Sequence, residues 1–366
     1  MIRILDPPIQ LPDDPGGPVF FASLIAGLEP IVAGEMSEKI GGLRILGMLR
    51  GRALFSCDGP PADLLGLMTI ENLFGYTGQM TGIPADESGL GFIEERISEM
   101  ALEPALALFE RLHGARSDPS FRVTAQRSGR HAYNSPQIAA AAGAGVMHRY
   151  GWRVDLEQYD YDVRVYVTDD HALVGLRLSR EALHKRGRVA HGVASLTPTV
   201  AHAMCRVAAP TPGETFVDPM CGSGTILVER SGWTDGALVI GGDASEEPLG
   251  LARRNLTAQR AAATLVNWDA KRLPLTDASV DKLVSNLPWG RRIGSHRINV
   301  HLYPGFIRET ARVLRPRGVA VLLTQEKRLL LRLLDKRRDL SVRGQYSLSL
   351  SGMSPTIYVV SKAGEQ

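Results

Sequence analysis

Five short apolar runs, separated by segments long enough for helices, occupy the second half of the chain. Apolar strands that alternate with helices pack into a parallel sheet covered on both faces. Residues 340–360 read as two further strands joined near Gly352, which predicts an antiparallel hairpin beside that sheet. The sequence therefore predicts an α/β domain with a mostly parallel sheet in the second half. The five runs are residues 215–217, 238–240, 264–266, 282–284 and 319–323.

The first 180 residues follow a different pattern, in which helices are mixed with antiparallel strand pairs. Residues 44–57 alternate as a hairpin, and residues 161–179 read as two more strands joined by a turn. A helical pattern covers residues 89–109. This mixture predicts an α+β region. We therefore expect one region over residues 1–180 and a second over residues 181–366.

The composition is that of an ordinary soluble globular protein, with 44% hydrophobic and 22% charged residues. A net charge of +3 permits a nucleic-acid partner without demanding one. The three cysteines are odd in number and lack CxxC spacing, which favours a reducing cytoplasm over a disulfide framework or a zinc site. No apolar run approaches the roughly 20 residues of a membrane helix. We expect a cytoplasmic protein with no membrane segment and no metal, and we favour a monomer.

The stretch Asn286-Leu287-Pro288-Trp289-Gly290 follows a buried strand and suits a functional loop. Pro288 cannot donate to a sheet and keeps Leu287 extended. The amide of Asn286 and the carbonyl of Leu287 can then face the same point, and Trp289 offers a flat apolar face beside them. Two acceptors and a stacking surface match a planar ring with an exocyclic amine. An ordinary strand followed by a Pro-Gly turn is the alternative interpretation.

A second loop begins at Asp218, where the first of the five strands ends. Gly222 and Gly224 allow tight turns and the close approach of a ligand. The carboxylate of Asp218 would face the ligand crevice at the carboxyl edge of the sheet. The next two strands also end in acids, at Asp243 and Asp269. Asp243 is placed to hold the hydroxyls of a ribose, and Asp269 suits an adenine amino group.

Three acids at successive strand ends favour a nucleoside pocket, although each acid alone could be a helix cap. A dinucleotide would need a third glycine for its pyrophosphate, and Thr225, Ile226 and Leu227 follow Gly224 instead. The carboxylate of Asp218 would repel a pyrophosphate and attract an ammonium group. S-adenosylmethionine carries an ammonium, a ribose and an adenine but no phosphate. The charge argument therefore favours this cofactor and disfavours a nicotinamide oxidoreductase.

With these motifs, residues 181–366 resemble the Rossmann-like class I S-adenosylmethionine-dependent methyltransferases. Asp-Pro-Met-Cys-Gly-Ser-Gly-Thr at 218–225 and Asn-Leu-Pro-Trp-Gly at 286–290 together resemble the THUMP-domain tRNA (guanine-N2-)-methyltransferases. Residues 27–35 are similar to the start of the ferredoxin-like module that precedes THUMP in that family, and residues 121–180 resemble the THUMP core. The generic Asn-Pro-Pro-Tyr is Asn-Leu-Pro-Trp here, which keeps the aromatic residue and loses one proline.

The resemblance implies an enzyme that transfers a methyl group from S-adenosylmethionine to the N2 amine of a guanosine in tRNA. It also implies that the segment before the first sheet strand helps to cover the cofactor, while clustered basic residues hold the RNA. The predicted catalytic residues are Asn286, Leu287, Pro288 and Trp289. The predicted cofactor-binding residues are Ser195, Thr197, Asp218, Met220, Cys221, Gly222, Ser223, Gly224, Thr225, Asp243, Ala244, Asp269, Ala270 and Asn286. The predicted RNA-binding residues are Arg122, Arg127, Arg130, Lys185, Arg188, Arg291 and Arg292.

In this interpretation the protein mainly aligns the methyl donor with the acceptor. Such alignment can lower the activation free energy by about 7–11 kcal/mol. Asn286 and the Leu287 carbonyl accept the two amine hydrogens, and Trp289 stacks on a base that has left its stem. The same site could methylate the N6 amine of adenine or a glutamine side chain. A non-catalytic RNA-binding protein with a degenerate methyltransferase fold is a further alternative, although Asp218, Asp243 and Asn286 are intact.

Overall fold

The computed structural model describes residues 4–186, 189–190, 196–233, 236–290, 295–350 and 352–364. Tertiary contacts group the chain into two compact units. The division falls between Leu183 and His184, and the segment Ile25–Val32 belongs with the second unit. Among the helices described, none is both long and apolar enough to cross a membrane.

The described residues of the first unit form one eight-stranded sheet. Its strands are β1 (Val19–Ser23), β2 (Arg44–Leu49), β3 (Arg52–Ser56), β4 (Asn72–Thr81), β5 (Ser120–Ser128), β6 (Arg153–Val154), β7 (Tyr161–Thr168) and β8 (His171–Arg177). They lie in the order β2-β3-β1-β4-β8-β7-β5-β6, antiparallel except where β5 pairs with β6 and β7. The accompanying helices are α2 (Pro61–Leu64), α3 (Ser88–Glu99), α4 (Glu103–His113) and α5 (Ser135–Tyr150), while α1 (Glu29–Lys39) begins in the segment that belongs with the second unit. The predicted α+β architecture is confirmed.

Aromatic side chains hold the middle of this sheet together. Phe21 on β1 and Phe74 on β4 stack with their ring centroids 4.6 Å apart, and Tyr166 on β7 meets both rings edge-on at 6.0 Å. Such contacts stabilise a core beyond simple area burial. Gly175 on β8 makes room for them, because a β-carbon there would lie 2.3 Å from the Phe21 ring. The ferredoxin-like and THUMP-like strands therefore share one core.

The helical pattern over residues 89–109 belongs to two helices, so the prediction of one helix was wrong. α3 ends at Glu99 and α4 begins at Glu103, and Met100 between them is extended with ψ of 127°. Pro104 lies in the first turn of α4, where its missing N–H leaves no hydrogen bond unmade. Inside one continuous helix the same proline would remove a hydrogen bond and clash with the preceding turn.

The described residues of the second unit form a seven-stranded sheet. Its strands are β9 (Thr215–Asp218), β10 (Leu238–Asp243), β11 (Thr264–Asn267), β12 (Val280–Asn286), β13 (Leu314–Thr324), β14 (Leu340–Ser347) and β15 (Thr356–Lys362). They lie in the order β11-β10-β9-β12-β13-β15-β14, the first five parallel and β15 antiparallel to both neighbours. The helices are α6 (Pro198–Val207), α7 (Thr225–Ser231), α8 (Glu246–Ala258), α9 (His296–Val313) and α10 (Lys327–Asp335). The five predicted strands and the terminal hairpin are confirmed.

A buried ion pair connects α7 with the start of β9. The guanidinium of Arg230 is fully buried and donates twice to Oε1 of Glu214, at 2.9 and 3.1 Å. The second carboxylate oxygen of Glu214 accepts from the N–H and the hydroxyl of Thr211 at 2.8 and 3.0 Å. The glycine loop, residues 219–224, leads directly into α7. The ion pair therefore fixes the position of the helix that anchors one end of this loop.

Candidate active site

Three adjacent parallel strands end in polar residues at one edge of the second sheet. β9 lies between β10 and β12, at the point where strand order reverses, and α/β sheets bind ligands at such a switch point. Asp218 ends β9, Asp243 ends β10 and Asn286 ends β12. Parallel strands bring their carboxyl ends to the same edge, so the fold gathers three residues that are far apart in sequence.

Asp218 is more enclosed than the sequence suggested. The residue is only 1% exposed, and its Oδ1 accepts from the Ser285 hydroxyl at 2.8 Å and from the Met220 N–H at 3.2 Å. Burial raises the pKa of Asp218 to about 7, against the lowering effect of these two hydrogen bonds, and the Asp243 carboxylate adds to the increase. The carboxylate of Asp218 is therefore shielded from solvent, and its placement at the ligand crevice stays a prediction. It is a buried carboxyl group whose charge changes near neutral pH.

The loop after β9 turns sharply and is fixed to the end of β10. Gly222 and Gly224 have φ of 52° and 77°, in the left-handed region that favours glycine. The Gly222 N–H donates to Oδ2 of Asp243 at 3.1 Å, and the Cys221 N–H donates to the Gly242 carbonyl at 2.8 Å. A β-carbon at Gly222 would meet no described atom within 4 Å. The loop therefore leaves open space on one side, where a ligand can approach the backbone.

Asp243 and Asp269 have different surroundings. Asp243 is half-buried, and its two carboxylate oxygens accept from the N–H groups of Ser245 and Gly222, both at 3.1 Å. Asp269 is exposed; its Oδ1 accepts from the Lys271 N–H at 2.9 Å, and its Oδ2 lies 3.4 Å from Nζ of the same lysine. Asp243 is thus held in one orientation. β11 ends at Asn267, so the prediction that this strand ends at Asp269 was wrong, and Asp269 lies two residues beyond it in an exposed position.

The remaining residues predicted to contact a cofactor differ in exposure. Thr197 is the N-cap residue of α6, and Ala244 is exposed beside Asp243. Ala270 packs in the hydrophobic core instead of facing solvent. Burial raises the pKa of the Cys221 thiol well above its usual range, as expected for a packing residue. The buried or half-buried residues of the glycine loop are Met220, Cys221, Ser223 and Thr225, and Ser195 lies outside the described residues.

The loop after β12 presents Asn286 and Trp289 as a pair. The indole N–H of Trp289 donates to Oδ1 of Asn286 at 3.0 Å, so ring and amide are fixed relative to each other. An amide oxygen has two lone pairs, and the second can accept from a ligand. Leu287 is buried, and its N–H donates to the Leu323 carbonyl at 3.0 Å. The loop thereby continues the sheet pairing of β12 for one residue and then turns away.

Two residues of α9 hold this loop, and the sequence analysis did not single them out. The side-chain amide of Asn299 and the hydroxyl of Tyr303 both lie 2.8 Å from the Pro288 carbonyl and donate to it. The Tyr303 oxygen is also 2.8 Å from Oγ1 of Thr324, at the end of β13. Burial raises the pKa of Tyr303, so its hydroxyl keeps its proton. Asn299 and Tyr303 are four residues apart and therefore lie on one face of the helix. This spacing was the only sign in the sequence that the two side chains act together.

The predicted RNA-binding residues fall into three groups. Arg122 pairs with Asp162 at 2.9 Å and covers the ring of Tyr159 at 3.8 Å, so it is engaged within its own sheet. Arg127 donates to the Gly129 carbonyl at 2.7 Å. The exposed cations are Arg130 and Lys185. The residues that lie outside the described part of the chain are Arg188, Arg291 and Arg292.

Metal-ligating side chains are scattered across the fold. Among the described residues, no group of three or more His, Cys, Asp or Glu side chains could hold a metal ion. Cys57, Cys205 and Cys221 are buried free thiols. His296 is the first residue of α9, and its Nδ1 lies 2.9 Å from Oε2 of Glu326.

Comparisons with known proteins match both units. Residues 94–177 match the THUMP domain model, and residues 185–354 match the model of the RMKL-like methyltransferase domain. A tRNA (guanine(6)-N2)-methyltransferase from Thermus thermophilus is 32% identical over 345 residues, covering 92% of this chain and 97% of that protein. The chain belongs to the THUMP-domain tRNA (guanine-N2-)-methyltransferase family. The resemblance carried by residues 218–225 and 286–290 is confirmed.

Other members of the family extend this comparison. The crystal structure of TrmN from Thermus thermophilus matches with a TM-score of 0.77 at 29% identity, covering 94% of this chain and 99% of that one. The bovine tRNA (guanine(6)-N(2))-methyltransferase THUMP3 is 35% identical over 223 residues, 57% of this chain and 44% of that protein. The chain thus spans about half the length of that relative. The second unit contains a class I, S-adenosylmethionine-dependent methyltransferase domain, as predicted.

Proposed function

We propose that this chain transfers a methyl group from S-adenosylmethionine to the exocyclic N2 amine of a guanosine in tRNA. The observation that carries the proposal is the meeting of Asp218, Asp243 and the Asn286–Trp289 pair at one sheet edge. The choice of guanine and of tRNA is supported by the relatives, which are named for that reaction. No feature of the described residues favours adenine or glutamine as the acceptor over guanine.

The residues around the glycine loop fit the proposed cofactor. S-adenosylmethionine, when bound, supplies an electrophilic methyl group on a sulfonium. Asp243, half-buried and held by two N–H groups, is suited to the hydroxyls of a ribose. Asp218 would attract the α-ammonium, since a buried charge acts over several ångströms in a low dielectric. Open space at Gly222 allows close approach, and Asp269 is available to the adenine amino group at the margin.

The Asn286 loop, residues 286–290 at the end of β12, would receive the acceptor base. Oδ1 of Asn286 retains one lone pair beside the bond from Trp289, and together with the Leu287 carbonyl it could accept the two amine hydrogens. Such acceptors favour a nitrogen lone pair that points out of the ring system, toward the methyl donor. As the N–C bond forms, the methyl–sulfur bond of the sulfonium would break to leave a neutral thioether, and one amine proton would pass to water, so no strong general base is required. Asn299 and Tyr303 keep the loop in this orientation through the Pro288 carbonyl.

The first unit would dock the RNA. Its THUMP match over residues 94–177 supports this role, and the exposed Arg130 is available for phosphate contacts. Lys185 in the second unit is exposed as well. Arg122 shares the carboxylate of Asp162 with Arg164 and Arg177, so three cations meet one anion in this cluster. A cytoplasmic location is part of the same proposal and is supported by the free thiols and by a tRNA substrate.

Cofactor affinity should rise with pH through about 7. The ammonium is attracted only by the charged form of Asp218, whose pKa burial raises to about 7. We therefore expect roughly fivefold weaker binding at pH 6 than at pH 7, because the charged fraction of Asp218 falls from about one half to about one tenth while the ligand's α-ammonium stays mostly protonated. Calorimetric titration at a series of pH values measures the effect. Asp218→Asn should bind more weakly with a flat pH profile, and a profile as steep as that of the unsubstituted chain would remove Asp218 from the site.

The raised pKa of Asp218 makes the stability of the fold change with pH in the direction opposite to cofactor affinity. Because the folded-state pKa of Asp218 lies above its ordinary value of 3.8, the folded state binds the proton more tightly than the unfolded state. The resulting stabilisation is fully present below pH 3.8 and is lost as pH rises through about 7. The pH at which the proposed site gains affinity is therefore the pH at which the fold loses this contribution.

The proposal is tested by offering the enzyme its candidate acceptors side by side. The full chain is incubated with methyl-labelled S-adenosylmethionine and either unfractionated tRNA, duplex DNA or a glutamine-containing peptide. We expect label in tRNA alone. Label in DNA or peptide would contradict the proposed acceptor, and a chain that binds the cofactor but labels none of the three would fit the degenerate-fold alternative.

A further inference from the structure

A second concavity adjoins the Asn286 loop. It has a volume of about 610 Å³, within the range of pockets that hold nucleotide-sized ligands. It lies between the start of α9, the segment that follows β13 and the first turns of α10. Its lining includes His296, Val300, Gln325, Lys327, Arg328 and Arg332. None of these residues was assigned to the cofactor or to the acceptor base.

The wall of this cavity contacts the loop directly. Gly290, the residue after Trp289, has φ of 71°, and a β-carbon there would lie 2.9 Å from the N atom of His296 and 3.0 Å from Oε1 of Glu326. Both His296 and Glu326 line the cavity and contact each other at 2.9 Å. A nucleotide whose base reaches Asn286 would therefore have a neighbouring nucleotide at this cavity.

The positive charges that line the cavity repel one another and oppose the helix dipole, and a bound anion would relieve both effects. α10 begins with Lys327 and Arg328, although cations near a helix N-terminus oppose the helix dipole. Arg328 and Arg332 are four residues apart on the helix, where like charges repel. Within the described residues, none of these three cations has an ion-pair partner, and the carboxylate of Glu326, which also lines the cavity, contacts His296. The sequence thus places three positive charges against one carboxylate around one concave space.

We propose that this cavity is a subsite for RNA, in which Arg328 and Arg332 bind the phosphate of a nucleotide that flanks the methylated guanosine. The inference rests on the proposed function and adds the flanking contact. S-adenosylmethionine carries no phosphate, so a phosphate site next to the Asn286 loop belongs to the acceptor and not to the cofactor. Val300 and Leu329 give the cavity an apolar wall against which a sugar or base could pack.

The test compares two double variants of the full chain that lose the same charge. Arg328→Gln/Arg332→Gln removes two cavity cations, whereas Lys336→Gln/Arg338→Gln removes two exposed cations that follow the same helix and do not line the cavity. Binding to tRNA is measured across a range of salt concentrations. Each lost phosphate contact should reduce the slope of log affinity against log salt by about 1. Cofactor affinity and melting temperature are measured in parallel.

We expect the cavity variant to bind tRNA about tenfold more weakly, with a slope reduced by about 1 because both arginines bind one phosphate, and to keep normal cofactor affinity and melting temperature. The control variant should keep the slope of the unsubstituted chain. Equal losses in the two variants, or no loss in the cavity variant, would overturn the subsite while leaving the proposed function intact. If the unsubstituted chain neither bound nor labelled tRNA, the proposed function and the subsite would both be overturned.

Discussion

Asn286→Ala should lower the single-turnover rate of methyl transfer by roughly 100-fold or more, because one aligned acceptor in a dry site is worth several kcal/mol in the transition state. Cofactor affinity should change by less than about threefold, since the effect is confined to the reaction step. The rate is measured under single-turnover conditions with saturating tRNA and cofactor. A melting curve of the same variant establishes that it is folded.

Trp289→Phe is the matched control for this experiment. A control is needed because Asn286→Ala also removes the hydrogen-bond acceptor of the Trp289 indole N–H. Phenylalanine abolishes that hydrogen bond but keeps a ring face for stacking, so most of the turnover should remain. A loss in Trp289→Phe as large as in Asn286→Ala would assign the effect to the indole–amide bond. An Asn286→Ala variant that is folded, binds the cofactor and keeps near-normal turnover would contradict the proposed mechanism.

Glu214→Gln should destabilise the second unit by about 3–5 kcal/mol, because it removes the negative charge from a buried side chain that accepts two hydrogen bonds from the fully buried guanidinium of Arg230. Cofactor affinity should fall with stability, since α7 holds the glycine loop. Thermal and denaturant unfolding measure the loss. The double variant Glu214→Leu/Arg230→Met should recover much of it, because replacing both members of a buried pair by apolar residues is often close to neutral.

An exposed ion pair supplies the control for this prediction. Arg96 and Glu99 lie 3.1 Å apart with 53% and 60% of their side chains exposed. Glu99→Gln makes the same chemical change at the surface and should cost less than about 1 kcal/mol. Equal losses for Glu214→Gln and Glu99→Gln would mean that the buried pair contributes no more than a surface pair.

The residues at the carboxyl edge of the second sheet could be predicted from the sequence, because the patterns that mark the end of each strand are local. Each parallel strand is a short apolar run, and the residue that ends the run necessarily lies at the carboxyl edge. Asp218, Asp243 and Asn286 could therefore be placed in one site from spacing alone. Their environments could not be predicted in this way. The burial of Asp218 depends on Ser285, which lies 67 positions further along the chain.

Contacts between distant segments also explain the other differences. Arg122 was predicted from the sequence as an RNA-binding cation, but it shares the carboxylate of Asp162 on the neighbouring strand with Arg164 and Arg177. The role of Tyr303 depends on the Pro288 carbonyl and on Thr324, which come together only when β12, β13 and α9 have packed. By contrast, the break between α3 and α4 had a local cause in Pro104, and the helical periodicity on both sides concealed it.

The identity of the acceptor atom is the central claim, and nucleoside mass spectrometry tests it most directly. Transfer RNA is incubated with the full chain and isotopically labelled S-adenosylmethionine, digested to nucleosides and separated by mass and retention. The account predicts labelled N2-methylguanosine, and its loss when Asn286→Ala replaces the unsubstituted chain. Labelled N6-methyladenosine in place of N2-methylguanosine would contradict it.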